Sequence, residues 1–347
     1  MKRPLVVKLG TSLIVGPRAQ VRRQVLRDRA REIAEIVGGG TPVCVVSSGA
    51  IALGLARLGL SRRPRSMPKL QAASALGQAR LQAAWEEALG REGVPAAQIL
   101  LTAVDVAERS TYVNARNALN ALFALGAVPV VNENDATATD EISFGDNDAL
   151  AAQVAVLARA RLLVLLTEVE GVLSRAPGKP GAHLISDGSM ARNAVLGGAS
   201  PLGKGGMRSK VLAAEVAAAA GIPTVIAAGT GRNVLVPILA GEPRGTRFAA
   251  GERAPSAFKL WLRFGKPTSG RLRVDEGAMR ALQNDGASLL AVGIARCEGR
   301  FAAGDGVEII GPDGVPFAKG IASASSDELR RRPRGLEAVH RDRLVVY

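Results

Sequence analysis

Short runs of near-continuous Val, Leu and Ile punctuate the first 250 residues: PLVVKLG at 4–10, PVCVVSSG at 42–49, QILLT at 98–102, AVPVVN at 127–132, RLLVLLT at 161–167 and IPTVIAAG at 222–229. Between them lie longer stretches with apolar residues three and four apart. Val21, Val25, Ile33, Ile36 and Val37 recur in this way among charges, which predicts an amphipathic helix over 20–37. The same spacing predicts helices over 69–89, 111–125, 147–159 and 206–220. Apolar runs separated by helices are the signature of a mainly parallel sheet sandwiched by helices, because strands covered on both faces need no polar side.

The pattern changes near residue 250. AAGERAPSAF at 249–258 mixes Gly, Pro, Ser and charge, the composition of a linker. Beyond it one helix is expected, at 275–284, followed by short strands broken by Gly-Asp, Asp-Gly and Pro. The expected organisation is an α/β domain over 1–250, a linker over 251–258 and a small, mostly β domain over 259–347. Hydrophobic residues make up 47% of the 347 and aromatics only 3%, so the core must be aliphatic. No uncharged apolar run reaches the length of a membrane span. The opening MKRPLVVKLGTS is interrupted by Lys8 and has no small-residue cleavage site; it reads as a first strand rather than a leader. Cys44 and Cys297 sit in strand-like runs and are expected as small buried hydrophobes of a reducing, cytoplasmic setting.

The net charge of +14 raises the question of a nucleic-acid partner. The excess is nevertheless distributed: residues 1–255 carry 30 basic and 20 acidic side chains, and residues 256–347 carry 15 and 11. The clusters SRRPR at 61–65 and RRRPR at 330–334 lack interleaved aromatics that could stack on bases, and are expected to be solvated surface.

Candidate chemistry gathers at the strand ends, where parallel sheets hold ligands. The first strand runs into KLGTS, the second into SSGAI, the fourth into NEND and the sixth into AAGTG. Glycines there let backbone approach a ligand, and a following helix offers free N–H groups to an anion. GKGGMRSK at 203–210 adds glycines, Lys204 and Lys210 at the start of a helix, a phosphate cradle without the P-loop spacing. A second polar cluster, GDND at 145–148, follows NEND after nine intervening residues. Only two histidines occur, His183 and His340, one in each expected domain, and no Cys/His set has metal-ligand spacing. Phosphoryl transfer to a carboxylate suits such a chain, since the acceptor is ionised at neutral pH and needs no base.

VVKLGTS, VSSGAIALG, KLQAASALGQARL, NARNAL, PVVNENDATATDEISFGDNDALAAQVA, GGMRSK and GIPTVIAAG, in that order and spacing, resemble the amino acid kinase family, in its branch that phosphorylates the side-chain carboxylate of L-glutamate. VDEGAMRAL, GASLLAVGI and AVHRD resemble the PUA domain that many bacterial members carry. The resemblance implies that Ser48, Asp135 and Asn147, with Asn132 nearby, hold L-glutamate. It implies that Lys8 and Lys210 act on the transferring phosphoryl group, with Asp148 between them. ATP would be held by Lys8, Gly10, Thr167, Glu168, Lys204, Gly205, Gly206, Met207, Arg208, Ser209 and Lys210, and Gly10 and Gly49 would offer backbone N–H groups. Mg²⁺ would ride on the ATP phosphates, with no protein metal site. Elementary chemistry suggests a division of labour: Asp135 for the α-ammonium, and the Ser hydroxyl and Asn amide for the α-carboxylate. The resemblance further implies inhibition by proline, a place at the head of proline synthesis and assembly as a homotetramer.

Two departures from the family pattern fall on the nucleotide side. Thr167 is followed by Glu168 where the family has Asp, and Lys204 and Arg208 replace smaller hydroxyl residues. Two other readings stay open: an RNA-binding regulator on a kinase scaffold, since PUA domains occur in RNA-modifying proteins, and another carboxylate kinase, such as one acting on N-acetylglutamate. Intact Lys8, Asp148 and Lys210 argue against the first, and an acetylated amine would not want Asp135.

Overall fold

The computed structural model describes residues 2–17, 19–60, 62–102, 105–106, 109–137, 147–196, 206–251, 259, 262–263, 266 and 268–347. The chain forms two compact units, one of residues 1–105 and 110–254, the other mainly of residues 255–347. The expected linker falls almost wholly outside the described residues.

The first unit is built on a seven-stranded sheet. Its strands are β1 (Leu5–Leu9), β2 (Val43–Ser47), β3 (Ala96–Leu101), β4 (Val128–Glu133), β5 (Leu162–Thr167), β8 (Thr224–Ala228) and β9 (Thr246–Phe248), in the order β3-β4-β2-β1-β5-β8-β9. All neighbours are parallel except β8 and β9, which are antiparallel. The six apolar runs of the sequence are the six parallel strands. Strand β9 was not anticipated: three residues with Arg247 in the middle give no pattern to read. Nor was the two-residue hairpin of β6 (Val172–Leu173) and β7 (Leu184–Ile185).

Strand alternation divides the sheet's side chains between two faces. Leu5, Val7 and Leu9 of β1 join Leu26, Ala30 and Ile33 of helix α2 (Arg23–Gly38) and Leu81, Trp85 and Leu89 of α4 (Met67–Gly90) in one continuous core. Val6 and Lys8 point to the other face. There α6 (Asn147–Leu157) and α8 (Met207–Ala219) pack on β1, β5 and β8. Helix α5 is Arg109–Ala124 and α7 is Gly188–Leu196.

A short helix, α3 (Ala50–Arg57), follows β2 and lies tightly against α4. Two glycines permit the approach. A Cβ on Gly77 would fall 1.8 Å from the carbonyl oxygen of Ala50, and one on Gly54 would fall 1.7 Å from that of Ala73. Gly77→Ala is therefore expected to destabilise the protein by at least about 1–3 kcal/mol, the usual cost of overpacking. Chemical denaturation compares the variant with the parent, and an unchanged midpoint would mean that the helices part freely.

The second unit has its own core, with Leu272, Val307, Ile309, Phe317 and Leu344 among its members. Strands β10 (Thr268–Val274), β12 (Ile294–Gly299), β13 (Gly306–Ile310), β14 (Pro316–Ile321) and β16 (Leu344–Val346) form a sheet in the order β12-β10-β13-β14-β16. Short strands β11 (Leu289–Leu290) and β15 (Glu337–Val339) pair separately. Helix α10 (Glu276–Asn284) opens on an Asp275 side chain that accepts from Ala278 N–H, as a cap should. Cys44 is buried as expected, and burial pushes its thiol well above the usual range. Cys297 is not fully buried. It lies on β12, which among the described residues is an edge strand of its sheet.

Candidate active site

Lys8 occupies the middle of the sheet, on β1 between β2 and β5, and its side chain is only 6% exposed. A buried ammonium is costly unless paired. Its partner is Asp148, on the first turn of α6: Lys8 Nζ lies 2.7 Å from Asp148 Oδ1. Lys210, on the first turn of α8, donates to the second oxygen, Oδ2, at 3.1 Å. Ser209 Oγ donates to the same oxygen at 2.7 Å. Burial pushes the Asp148 carboxyl up, but the two ammonium groups and these hydrogen bonds outweigh it and hold the carboxyl below the usual range. One carboxylate thus keeps two cations close together on the face where α6 and α8 meet the sheet.

The loops at these strand ends converge on the same place. A Cβ on Gly10 would lie 3.6 Å from Lys8 Nζ, so the KLGTS turn passes directly beside the ammonium. Gly206 caps α8 at φ 80°, a conformation that favours glycine, and its carbonyl accepts from Lys210 Nζ at 3.3 Å. Met207 and Arg208 follow on the first turn, with Arg208 exposed. Thr167 ends β5 one residue past the Leu9–Leu166 pairing, and its carbonyl accepts from Gly229 N–H, tying β5 to the AAGTG loop. Glu168 is half exposed, 3.6 Å from Arg22. Lys204 and Gly205 lie outside the described residues, as does Asp146.

Beside the lysine pair lies a cavity of about 270 Å³. Ser48, Asn132, Asp135 and Asn147 all line it, as does Thr11. Four separate elements thus bring the expected substrate residues together: the ends of β2 and β4, the turn after β4 and the first residue of α6. Asp135 accepts from Ser74 Oγ of α4 at 2.6 Å through Oδ2, while its buried Oδ1 has no hydrogen-bond partner among the described residues. Burial raises the Asp135 carboxyl above its ordinary value, against the opposing pull of Ser74 and Arg63.

The Asn147 amide differs from the elementary expectation. Its Nδ2 donates to Ser48 Oγ at 2.8 Å, to Asn132 Oδ1 at 2.9 Å and to the Ser47 carbonyl at 3.3 Å. Its donors are occupied, so it does not offer an N–H to a carboxylate. Its buried Oδ1 is the atom left without a partner among the described residues. Asp135 and Asn147 thus both line the cavity, and each carries a buried acceptor oxygen without a hydrogen-bond partner among the described residues.

Donor groups line the cavity as well. Ser48 Oγ accepts from Asn147 and so has its own proton to donate. Ala50, Ile51 and Ala52, the first turn of α3, line the cavity, and their N–H groups precede the first intrahelical bond, from Leu53 N–H to the Gly49 carbonyl. Gly49 reaches this geometry at φ 115°. Arg63 also lines the cavity while remaining exposed. The sequence placed it in a solvated basic cluster, and nothing in SRRPR distinguishes it from its neighbours. Ser74 and Gln78 were missed as well; they lay in a quoted motif without an assigned role.

The fold and site together define an α/β protein in which a mostly parallel sheet carries a central lysine that meets a second lysine across one aspartate. Residues 3–228 match the amino acid kinase family and residues 270–342 match the PUA domain; the chain belongs to the amino acid kinase family. Its relatives narrow the resemblance. The chain is 44% identical to a protein named Glutamate 5-kinase from Thermus thermophilus, over 99% of this chain and 96% of that protein. It is 44% identical to a Glutamate 5-kinase from Sphingopyxis alaskensis and 42% identical to one from Burkholderia mallei, in each case over 99% of this chain and 97% of the other. No helix among the described residues is long and apolar enough to cross a membrane.

Proposed function

We propose that the protein transfers the γ-phosphoryl group of ATP to the side-chain carboxylate of L-glutamate, giving L-glutamyl 5-phosphate and ADP. The observation that carries this reading is the Lys8–Asp148–Lys210 cluster set beside a cavity lined by Asp135 and Asn147, each with an acceptor oxygen that has no partner among the described residues. Asp135 Oδ1 and Asn147 Oδ1 would take the α-ammonium. The Ser48 hydroxyl, the start of α3 and Arg63 would take the α-carboxylate. Asn147 and Asp148 are adjacent on α6, so a substrate held by the first presents its far carboxylate toward the lysines.

A carboxylate oxygen then forms a bond to the γ-phosphorus as the bond to the bridging oxygen breaks, and ADP leaves with that electron pair. The acceptor is already ionised near neutral pH, so no base is required. Lys8 and Lys210 would balance charge on the group in flight, and Asp148 would hold both in place against their mutual repulsion. Gly10, Thr167, Glu168 and the 204–209 segment would hold the nucleotide. Among the described residues no group of three or more His, Cys, Asp or Glu side chains could hold a metal. Mg²⁺ would enter on the ATP phosphates and neutralise their charge there.

The test is ATP consumption with L-glutamate, N-acetylglutamate, aspartate and carbamate as acceptors. The expected result is turnover with L-glutamate alone. Turnover with N-acetylglutamate and none with glutamate would overturn the reading. We also expect L-proline to compete with glutamate, as the end product of the synthesis this step would open. It shares the charged amine and α-carboxylate but lacks the reacting group. Initial rates at several fixed proline concentrations read this, and rates unaffected by millimolar proline would refute it. Assembly as a homotetramer is expected from the family and is read by light scattering.

A further inference from the structure

Three amides form a directed chain beneath the proposed glutamate cavity. Asn147 Nδ2 donates to Asn132 Oδ1 at 2.9 Å, and Asn132 Nδ2 donates to Gln78 Oε1 at 2.7 Å. Gln78 lies on α4 and is 9% exposed. Its own Nε2 is buried without a partner among the described residues, as is Asn147 Oδ1 at the other end. The direction of the chain is not arbitrary. Asn147 also faces the backbone carbonyl of Ser47, at 3.3 Å, and a carbonyl can only accept. Turning Asn147 around would set oxygen against oxygen there. With Asn147 Nδ2 fixed, Asn132 must present Oδ1 to it and Nδ2 away from it. That Nδ2 then needs a buried acceptor, and Gln78 Oε1 supplies one.

We infer that Gln78, which does not line the glutamate cavity, is a positioning residue: it locks the amide relay that commits Asn147 Nδ2 to the protein and leaves Oδ1 as the one atom of that cavity-lining amide able to meet a substrate amine, and so sets the site's demand for an ammonium group. This inference rests on the glutamate reading above. Without an acceptor at position 78, Asn132 Nδ2 is stranded in the interior. If Asn132 turns over, it brings its Nδ2 against Asn147 Nδ2 and drives that amide toward the Ser47 clash. Either way the acceptor presented to the amine is weakened. The cavity's donor groups and the lysine cluster share no hydrogen bond with Gln78 among the described residues.

The test compares L-glutamate with glutarate, which has the same reacting carboxylate and chain but no amine. In the parent protein the two unpaired acceptors penalise glutarate. In Gln78→Leu the glutamate-over-glutarate ratio of kcat/KM is expected to fall about tenfold. That factor corresponds to about 1.4 kcal/mol, within the cost of leaving one buried amide unpaired. The KM for ATP stays unchanged. Gln78→Glu keeps an oxygen for Asn132 and is expected to retain the parent ratio. A merely structural role would lower both substrates together and leave the ratio alone, so an unchanged ratio in Gln78→Leu overturns the inference. An equal fall in Gln78→Glu does the same. Should Gln78→Leu not fold, Gln78→Met follows the path of the native side chain and takes its place. Failure of the parent reading is distinguishable, because the unmodified protein would then turn over no glutamate at all.

Discussion

Replacing Lys210 by alanine lowers turnover by about two to three orders of magnitude, the scale on which a single group that stabilises transition-state charge acts. The KM for L-glutamate changes little. Lys210 does not line the cavity, and its ammonium is held by Asp148 Oδ2 at 3.1 Å and the Gly206 carbonyl at 3.3 Å. It is aimed at whatever lies between the KLGTS turn and the cap of α8, which is where the phosphoryl group would pass. An interaction that strengthens only as charge moves lowers the barrier without tightening the ground state. The loss also reaches Asp148. Burial pushes that carboxyl up, and two ammonium groups hold it down. With one removed its pKa rises, so the acid limb of the rate profile shifts to higher pH in the variant. Steady-state kcat and KM across a pH series measure both effects, and an unchanged kcat removes Lys210 from the reaction.

Asp135→Asn raises the KM for L-glutamate strongly, by the equivalent of about 2–5 kcal/mol for a desolvated ion pair that loses one partner. The substitution keeps the shape and the Ser74 contact but replaces a charge with a dipole. The pH dependence supplies an independent check. Burial raises the Asp135 carboxyl above the ordinary aspartate value. The ionised form is the one that binds an ammonium. As pH falls through that raised value the carboxylate takes up a proton, and glutamate affinity is lost at a higher pH than an ordinary aspartate would cause. Asp135→Asn has no such group to titrate, so its KM loses that limb. A variant with parental KM, or one that keeps the limb, would take Asp135 out of the site.

Much of the architecture was legible because buried parallel strands cannot hide. They must be apolar on both faces, so RLLVLLT and PVCVVSSG announce themselves. The glycines leading into α8 were legible for a related reason: few residue types satisfy a helix end. Strand β9 and the β6–β7 hairpin were not, since two or three residues carry no period. The burial of Cys297 was misjudged because a strand's place at a sheet edge depends on its partners, not on its own composition.

The sequence by itself determined the inventory of the site: a lysine inside an apolar strand, two Asx clusters, and glycines at one end of the sheet after another. These are constraints on single positions, and residue types express them. Only the tertiary structure decided which of these groups meet. Lys210 and Asp148 stand 62 residues apart, and Lys8 reaches them only because strand alternation turns it toward α6 and α8. Only the fold picked Arg63 out of its basic cluster and brought Gln78 beneath Asn132. It also decided which end of the Asn147 amide is committed to the protein. The two ends of an amide are one letter in a sequence. The Ser47 carbonyl, a fixed acceptor on the backbone of a neighbouring strand, tells them apart.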